Sequence, residues 1–193
     1  EIISTGGTAK HLLENKIPVT EISKITGMDS IMGGRVKTLN PRIFGGILAD
    51  RKNDGHLKDL SGLGAGTIDL IVVNLYPFVN EAVKKRLPME KAIEYIDIGG
   101  PSMLRAAAKN YHSVCVLSDV SDYSDFMDNF NQKDKDISLD LRKANAAKVF
   151  LRTSSYDTEI FNYFNEQDKS NLPATHNISL IKKQNLRYGE NPH

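Results

Sequence analysis

The sequence predicts an α/β fold in which helices flank a mostly parallel sheet. Short apolar runs are each followed by glycine or a polar residue and then by a helix-forming stretch. The apolar runs are Ile2–Ile3, Leu70–Val73, Tyr95–Ile96 and Val114–Leu117. Strands that alternate with helices favour a parallel sheet, and ligands bind such sheets beyond the carboxyl ends of the strands. We therefore expect the polar clusters after these runs to form a site.

The composition favours a protein that binds a small ligand. A chain of 193 residues can bury a sizeable core, and its net charge of only +1 gives no electrostatic footprint for nucleic acid or an anionic membrane. It contains no apolar run long enough to cross a bilayer and no signal-peptide pattern, so we expect a cytoplasmic protein. The chain begins without Met, on residues typical of the end of a strand, and we expect it to be part of a longer protein.

Cysteine and histidine usage gives no sign of a metal site. The single cysteine, Cys115, lies in an apolar run, so we expect a core residue and no internal disulfide. The five histidines lack the spacing of zinc ligands. The sequence therefore predicts no metal.

The first polar cluster is Ser4-Thr-Gly-Gly-Thr-Ala-Lys10, which follows a strand end and leads into a helix. Free N–H groups and the helix dipole at such a junction suit a phosphate. The spacing matches neither a Walker loop nor a dinucleotide-binding fingerprint. A plain strand–turn–helix junction capped by Thr8 explains the same residues equally well.

The second cluster, Gly33-Gly-Arg-Val-Lys-Thr-Leu-Asn-Pro41, carries two cations. In an extended segment Arg35 and Lys37 point to the same side. Two cations directed one way are best explained by a bound anion, which the Arg fork and the Lys point charge would share. The alternative is a flexible basic loop, against which the flanking glycines and Pro41 argue.

The third cluster, Val73-Asn-Leu-Tyr-Pro-Phe78, ends a strongly apolar strand. Alternation puts Asn74 and Tyr76 on the same side of that strand. A tyrosine can exchange a proton and an asparagine can orient an amide or a hydroxyl. A core tyrosine at a strand end is the commoner arrangement, and Pro77 ends the strand in either case.

The most informative segment is Asp97-Ile-Gly-Gly-Pro-Ser-Met-Leu-Arg-Ala-Ala-Ala-Lys-Asn110. Its glycine pair, its proline and its three alanines predict a helix that begins with Pro101 at the first position. Arg105 and Lys109 are four residues apart and share one face of that helix. We expect Lys109 to reach a substrate held near Asp97. The alternative is a solvated helix with two surface cations.

Beyond about residue 125 the pattern becomes helical. Two sets of apolar residues with helical spacing predict packing helices on either side of Thr153–Ser155. The sets are Leu141, Ala144, Ala147 and Leu151, then Tyr156, Ile160 and Phe164. A linker-like stretch before a new strand-like run predicts two domains, residues 1–178 and 179–193.

Six segments, taken in order, resemble one known family. They are Thr5–Lys10, Gly33–Leu39, Gly45–Ala49, Asn74–Phe78, Ile96–Pro101 and Leu104–Asn110. Together they closely resemble the IMP cyclohydrolase domain of the PurH family of bifunctional purine biosynthesis enzymes. The resemblance covers residues 1 to about 178, and Asn185–His193 resembles the beginning of that family's AICAR transformylase domain.

The resemblance implies a methylglyoxal-synthase-like (MGS-like) fold, a homodimer and a purine nucleotide substrate. The implied reaction closes the ring of 5-formamidoimidazole-4-carboxamide ribotide (FAICAR) to give inosine monophosphate (IMP) and water. No cofactor or metal is implied for this step. The resemblance implies 10-formyltetrahydrofolate for the transformylase domain, which is otherwise missing from the chain.

The resemblance also implies a role for particular residues. The 5'-phosphate would be held by Thr5, Gly6, Gly7, Thr8, Arg35, Lys37 and Thr38, and the base and ribose would be lined by Asn74, Asp97, Ile98 and Gly99. Lys109 matches the family's catalytic lysine, and Lys37, Tyr76 and Asp97 match its assistants. Arg187 and Tyr188 resemble part of the substrate site of the transformylase domain.

The chain departs from the family in two places. Asn40 and Phe44 stand where the family usually has histidines, and the family's first strand with its Ser-Asp-Lys-Thr-Gly phosphate loop precedes Glu1. Two other functions compete. A non-catalytic nucleotide-binding regulatory module would keep the phosphate loop, and a methylglyoxal synthase would leave Tyr76 without a role.

Overall fold

The computed structural model describes residues 1–132, 135–166, 175, 177–178, 180 and 182–185. In these residues short strands alternate with helices, as the sequence predicts. The strands are β1 (Ile3–Ser4), β2 (Thr20–Glu21), β3 (Leu70–Val72) and β4 (Cys115–Leu117). The helices are α1 (Gly6–Glu14), α2 (Ile22–Thr26), α3 (Pro41–Leu48), α4 (Asp54–Gly62), α5 (Met89–Ala92), α6 (Gly99–Lys109), α7 (Asp122–Gln132) and α8 (Leu139–Glu166). The structure also has two short 3₁₀ helices, Met32–Gly34 and Ile93–Tyr95, and one short π-helix, Val79–Val83, in the described residues.

The described strands form two parallel pairs. β1 pairs with β2, where Ile3 lies opposite Thr20, and β3 pairs with β4, where Ile71 lies opposite Val116. Parallel pairing needs a crossover between the strands, and helices α1 and α6 lie in the two crossovers. The predicted α/β class with parallel strands is confirmed, although the described pairs do not form one continuous sheet.

β4 lies at the centre of the hydrophobic core. Its side chains alternate between two clusters: Val116 packs with residues of α6 and α8, and Leu117 packs with Ile137 and the aromatic residues of α7. Both faces of the strand are covered by helices, which is consistent with its lack of polar residues. Cys115 is 3% exposed, and this burial raises the pKa of its thiol. The cysteine therefore behaves as the predicted core residue.

Helix α6 packs against this core through small residues. Leu104 and the three alanines at 106–108 are buried, and the small alanine side chains let α6 approach the strands and α8 closely. The helix begins two residues before the predicted position, at Gly99. Pro101 is its third residue. N–H groups in the first turn have no acceptor within the helix, so the N–H that proline lacks costs the helix no hydrogen bond.

Two predicted elements differ from the structure. Tyr95–Ile96, expected to be a strand, follows α5 as the end of a 3₁₀ turn. The two expected C-terminal helices are one helix, α8, which runs through Thr153–Ser155. The Ser155 hydroxyl donates to the Leu151 carbonyl at 3.0 Å, so its polar group is satisfied without breaking the helix.

The buried face of α8 also differs from the one expected. The side chains that α8 buries belong to Asn145, Ala146, Val149, Thr153, Tyr156 and Tyr163. The predicted face through Ala144, Ala147 and Leu151 is wrong, because Leu151 is 66% exposed. Both faces show helical spacing, so periodicity alone does not reveal which one packs against the core. The described helices include none that is both long enough and apolar enough to cross a membrane.

The predicted boundary near residue 178 lies where only isolated residues are described. It stays a prediction. Arg187 and Tyr188 lie outside the described residues.

Candidate active site

Helix α1 presents an uncapped N-terminus at the carboxyl end of β1. Its first residue, Gly6, has a φ of 57°, a conformation that favours glycine. Thr5 occupies the N-cap position with an extended backbone, but its side chain makes no capping hydrogen bond. Thr8, the cap in the alternative interpretation, lies inside the first turn and is exposed. The first N–H groups of the helix therefore carry no side-chain cap and can accept an incoming anion as their hydrogen-bond partner.

The loop from Gly33 to Thr38 brings Lys37 to this N-terminus. Ile31 and Val36 exchange two backbone hydrogen bonds of 3.1 and 3.4 Å, which close the loop. A Cβ atom added at Gly6 would lie 4.0 Å from Lys37 Nζ, so the ammonium group sits beside the first residue of α1. The phosphate cluster and the basic cluster, separate in the sequence, thus contribute to one place.

A cleft of about 310 Å³ opens at this place. Thr5, Gly6 and Lys37 line it on one side, and β2, α2 and the segment after α2 line it on the other. The residues of the second side are Glu21, Ile22, Ser23, Asp29 and Ser30. The volume lies at the lower end of the range for small-molecule sites. The cleft therefore combines one cation and free N–H groups with two carboxylates, which no motif in the sequence identified.

Arg35 pairs with a carboxylate of another segment. Its guanidinium forms an ion pair with Glu94, and both side chains are more than half exposed. The expectation that Arg35 and Lys37 point to the same side required an extended segment, and this condition is not met, because Arg35 has helical dihedral angles (φ −70°, ψ −25°) at the end of a 3₁₀ turn. Side chains alternate only along extended backbone. The ion pair attaches the loop to the turn before α6.

The N-terminus of α6 lies next to the same loop. A Cβ atom at Gly99 would lie 2.7 Å from Thr38 Oγ1, and one at Gly100 would lie 2.9 Å from Asp97 Cγ. A side chain at either position would require the Thr38 or the Asp97 side chain to move. The Asp97 carboxylate accepts a hydrogen bond of 2.8 Å from the Gly100 N–H and so caps the helix. Thr38, Asp97, Gly99 and Gly100 therefore form one compact group adjoining Lys37.

Asn74 and Tyr76 project into solvent just beyond β3. Asn74 is exposed, and Tyr76 is 63% exposed. The alternate residues, Val73 and Leu75, pack against the core. This is the alternation that the sequence predicts. Asn74 Nδ2 donates to the Tyr123 hydroxyl of α7 at 3.4 Å. Ile98, at the start of α6, is also exposed.

Lys109 lies at the other end of α6. At 1.5 Å per residue, roughly 15 Å of helix separates Gly99 from Lys109. The helix end is tied to α3, because Asn110 Nδ2 donates to the carbonyl oxygens of Ile47 and Ala49 at 2.7 and 3.0 Å. Lys109 therefore does not lie beside Asp97, and the expectation that it reaches a substrate held near Asp97 stays a prediction.

Arg105 is likewise directed away from the Asp97 turn. Its guanidinium carbon lies 5.3 Å from the centroid of the Phe150 ring on α8. This cation–π contact attaches α6 to α8. Among the described residues, no group of three or more His, Cys, Asp or Glu side chains is arranged to hold a metal ion.

Two known families match the chain. The MGS-like domain matches residues 1–102, and the family described as AICARFT/IMPCHase bienzyme matches residues 107–193. The chain belongs to the family of MGS-like domains. A solved structure with a similar fold, that of ForH, has a TM-score of 0.75 and 33% sequence identity, and the match covers 85% of each chain. These matches confirm the MGS-like fold.

The relatives of this MGS-like chain include bifunctional purine biosynthesis proteins PurH. The protein from Clostridium acetobutylicum is 49% identical and that from Fusobacterium nucleatum is 51% identical, in both cases over all 193 residues. The chain spans 38% and 37% of the lengths of these two relatives. The resemblance to the PurH family is confirmed over the whole of this chain.

Proposed function

We propose that this chain carries an IMP cyclohydrolase site, which closes the ring of FAICAR to give IMP and water in purine biosynthesis. The observation that carries the proposal is the convergence of Lys37 with the uncapped N-terminus of α1 and the N-terminus of α6. The similarity to PurH proteins and to the AICARFT/IMPCHase family supports it.

The α1 end of the cleft suits the 5'-phosphate of the nucleotide. The N–H groups that follow Thr5 carry no side-chain cap, and Lys37 Nζ lies beside Gly6. A phosphate here would cap α1 and pair with the ammonium group. Glu21 and Asp29, on the other side of the cleft, would repel a phosphate. Their carboxylate oxygens accept hydrogen bonds and so suit ribose hydroxyls.

The N-terminus of α6, which adjoins the Lys37 loop through Thr38, then receives the two reacting groups of the base. In ring closure the carboxamide nitrogen attacks the formyl carbon, and the formyl oxygen leaves as water with one proton from each of the two nitrogens. Because both groups belong to one molecule, alignment supplies much of the acceleration. We assign to Asp97 the orientation of the carboxamide and to the free N–H groups at the start of α6 the stabilisation of charge on the formyl oxygen. Tyr76 has an exposed hydroxyl with which to transfer a proton.

The catalytic role of Lys109 rests on its motif match alone. Its place at the far end of α6 separates it from the Asp97 turn. A Lys109→Ala variant that retained most of its turnover would remove Lys109 from the proposal and leave the cleft residues in it.

The proposal extends to the compartment, the oligomeric state and the ligands of this protein. We infer a cytoplasmic homodimer that acts on a purine nucleotide and binds neither nucleic acid nor membrane. Ring closure uses no cofactor or metal. A second activity, formylation of AICAR with 10-formyltetrahydrofolate, belongs to the domain that begins near residue 179.

The test is IMP formation from FAICAR, followed by absorbance, with the full-length protein. We expect turnover in the wild type, a strong loss in Lys37→Ala, and wild-type rates in Lys143→Ala, an exposed lysine on α8. Nucleotide binding without turnover in the wild type would refute the proposal and support a regulatory module instead.

A further inference from the structure

The turn that carries Asp97 is held by a residue 59 positions later in the sequence. The Tyr156 hydroxyl of α8 accepts a hydrogen bond of 2.8 Å from the Asp97 N–H. The same hydroxyl donates to the Tyr95 carbonyl at 3.4 Å. One hydroxyl therefore bonds to the backbone on both sides of Ile96, in the turn between α5 and α6.

The position of Tyr156 is itself fixed by packing. Its side chain is 6% exposed and lies in a buried cluster with Phe78, Ala82, Ala92 and Tyr163. Burial is also the main reason that the pKa of Tyr156 is raised, so the hydroxyl stays protonated and keeps its ability to donate and accept at once. α8 thus offers a rigid support to a turn that has no strand to hold it.

A shift of this turn would act directly on the candidate site. Asp97 caps α6 through Gly100, and Gly99 lies against Thr38 with no space to spare. The carboxylate and the first N–H groups of α6 are therefore coupled to the backbone that Tyr156 holds. Small displacements of reacting groups lower the rate steeply, because catalysis depends on alignment.

We propose that Tyr156 is a positioning residue of the cyclohydrolase site: its hydroxyl holds the Asp97 turn in the geometry that ring closure requires. This inference rests on the function proposed above. Tyr156 does not line the cleft and acts only through the Asp97 turn. The competing explanation is that Tyr156 contributes packing and stability alone.

Tyr163 separates the two explanations, because it resembles Tyr156 in burial and in surroundings but bonds to a different segment. It lies on the same helix and in the same cluster, and it is 4% exposed. Its hydroxyl also donates to a backbone carbonyl, that of Leu87, which precedes α5 and is not part of the Asp97 turn. Replacing either tyrosine by phenylalanine removes one buried hydroxyl and keeps the ring.

The experiment compares Tyr156→Phe with Tyr163→Phe in the full-length protein, with rates normalised to the folded fraction. For Tyr156→Phe we expect kcat to fall about tenfold while the KM for FAICAR stays within about twofold, because the α1 end of the cleft is unchanged. For Tyr163→Phe we expect kcat within about twofold of wild type and a similar loss of thermal stability. In an Asp97→Asn background, Tyr156→Phe should have little further effect, since both changes act on one unit.

Amide hydrogen exchange gives a second measurement that does not depend on turnover. In the free protein, Tyr156→Phe should speed exchange at the Asp97 amide about tenfold, and Tyr163→Phe should not. Equal kcat values in the two variants, or an unchanged Asp97 amide, would overturn the positioning role. If the wild type formed no IMP, the proposed function would fail, and the positioning role at this reaction would fail with it. The exchange data would then show whether Tyr156 still holds the turn.

Discussion

The cleft and the helical body of this protein differ in what their residues contact. The cleft lies at the start of α1 and is lined by Lys37 of the loop from Gly33 to Thr38, which the start of α6 adjoins. Side chains in this region are half-buried or exposed. The body is formed by α6, β4 and α8, where Leu104, Val114, Val116 and Val149 are fully buried. The body can hold its shape without a ligand, whereas the polar groups of the cleft remain available to bind one.

Helix α6 belongs to both regions. Its first turn adjoins the cleft, and its remaining length packs into the body. A change in the body should therefore reduce stability, and a change in the cleft should reduce activity at nearly constant stability. Four substitutions test this division, from the largest expected effect to the smallest.

Leu104→Ala should have the largest effect, on stability. Leu104 is 0% exposed in the core of the body, and its truncation leaves a cavity that costs about 3 kcal/mol of unfolding free energy. Leu151→Ala on α8, where the side chain is 66% exposed, should change stability by less than about 0.5 kcal/mol. Urea denaturation followed by circular dichroism measures both. Equal losses would show that the exposed face of α8 is also packed in solution.

Lys37→Ala should have a comparable effect, on activity. Removing the cation beside Gly6 deprives a bound phosphate of a charge-assisted contact, so kcat/KM for FAICAR should fall about 100-fold, or about 2.7 kcal/mol. The urea midpoint should stay near the wild-type value. An unchanged kcat/KM would show that Lys37 takes no part in the reaction, and it would contradict the assignment of activity to the cleft.

Gly100→Ala tests the junction of the regions. Its Cβ atom would meet the Asp97 carboxylate, which must then move, and we expect kcat/KM to fall about tenfold. Gly62→Ala at the end of α4 is the matched control, because a Cβ atom there meets nothing within 4 Å. The control should be as active as wild type and slightly more stable. Steady-state kinetics of both variants decide the matter, and full activity in Gly100→Ala would show that Asp97 tolerates displacement.

Glu94→Gln should have the smallest effect. The Arg35–Glu94 pair is exposed, so its loss should cost less than about 1 kcal/mol of stability. The released Arg35 gains freedom to approach a bound phosphate, and we expect the KM for FAICAR to fall about twofold at low salt. The effect should disappear at high salt. A KM that does not change at low salt would show that Arg35 cannot reach the anion.

Much of the fold and part of the site were predictable, because local patterns determine them. The apolar runs at β3 and β4, the glycine-led start of α1 and the alternation of Asn74 with Tyr76 all follow from neighbouring residues. The buried face of α8 and the 3₁₀ turn at Ile93–Tyr95 do not follow from neighbouring residues, since they depend on which surfaces meet in the core. The pairing of Arg35 with Glu94 depends in the same way on two segments that are distant in the chain.

The sequence by itself determined the chemical groups of this protein: glycine-led helix starts, a lysine between them in a tight loop, and an aspartate before α6. Only the tertiary structure decided which of these groups meet. In the structure Lys37 lies beside Gly6, and Thr38 lies against Gly99. Lys109 lies at the far end of α6, and the Tyr156 hydroxyl bonds to the backbone of the Asp97 turn. The physical reason is that side-chain chemistry and helix starts are local properties, whereas distances between segments result from packing the whole core at once.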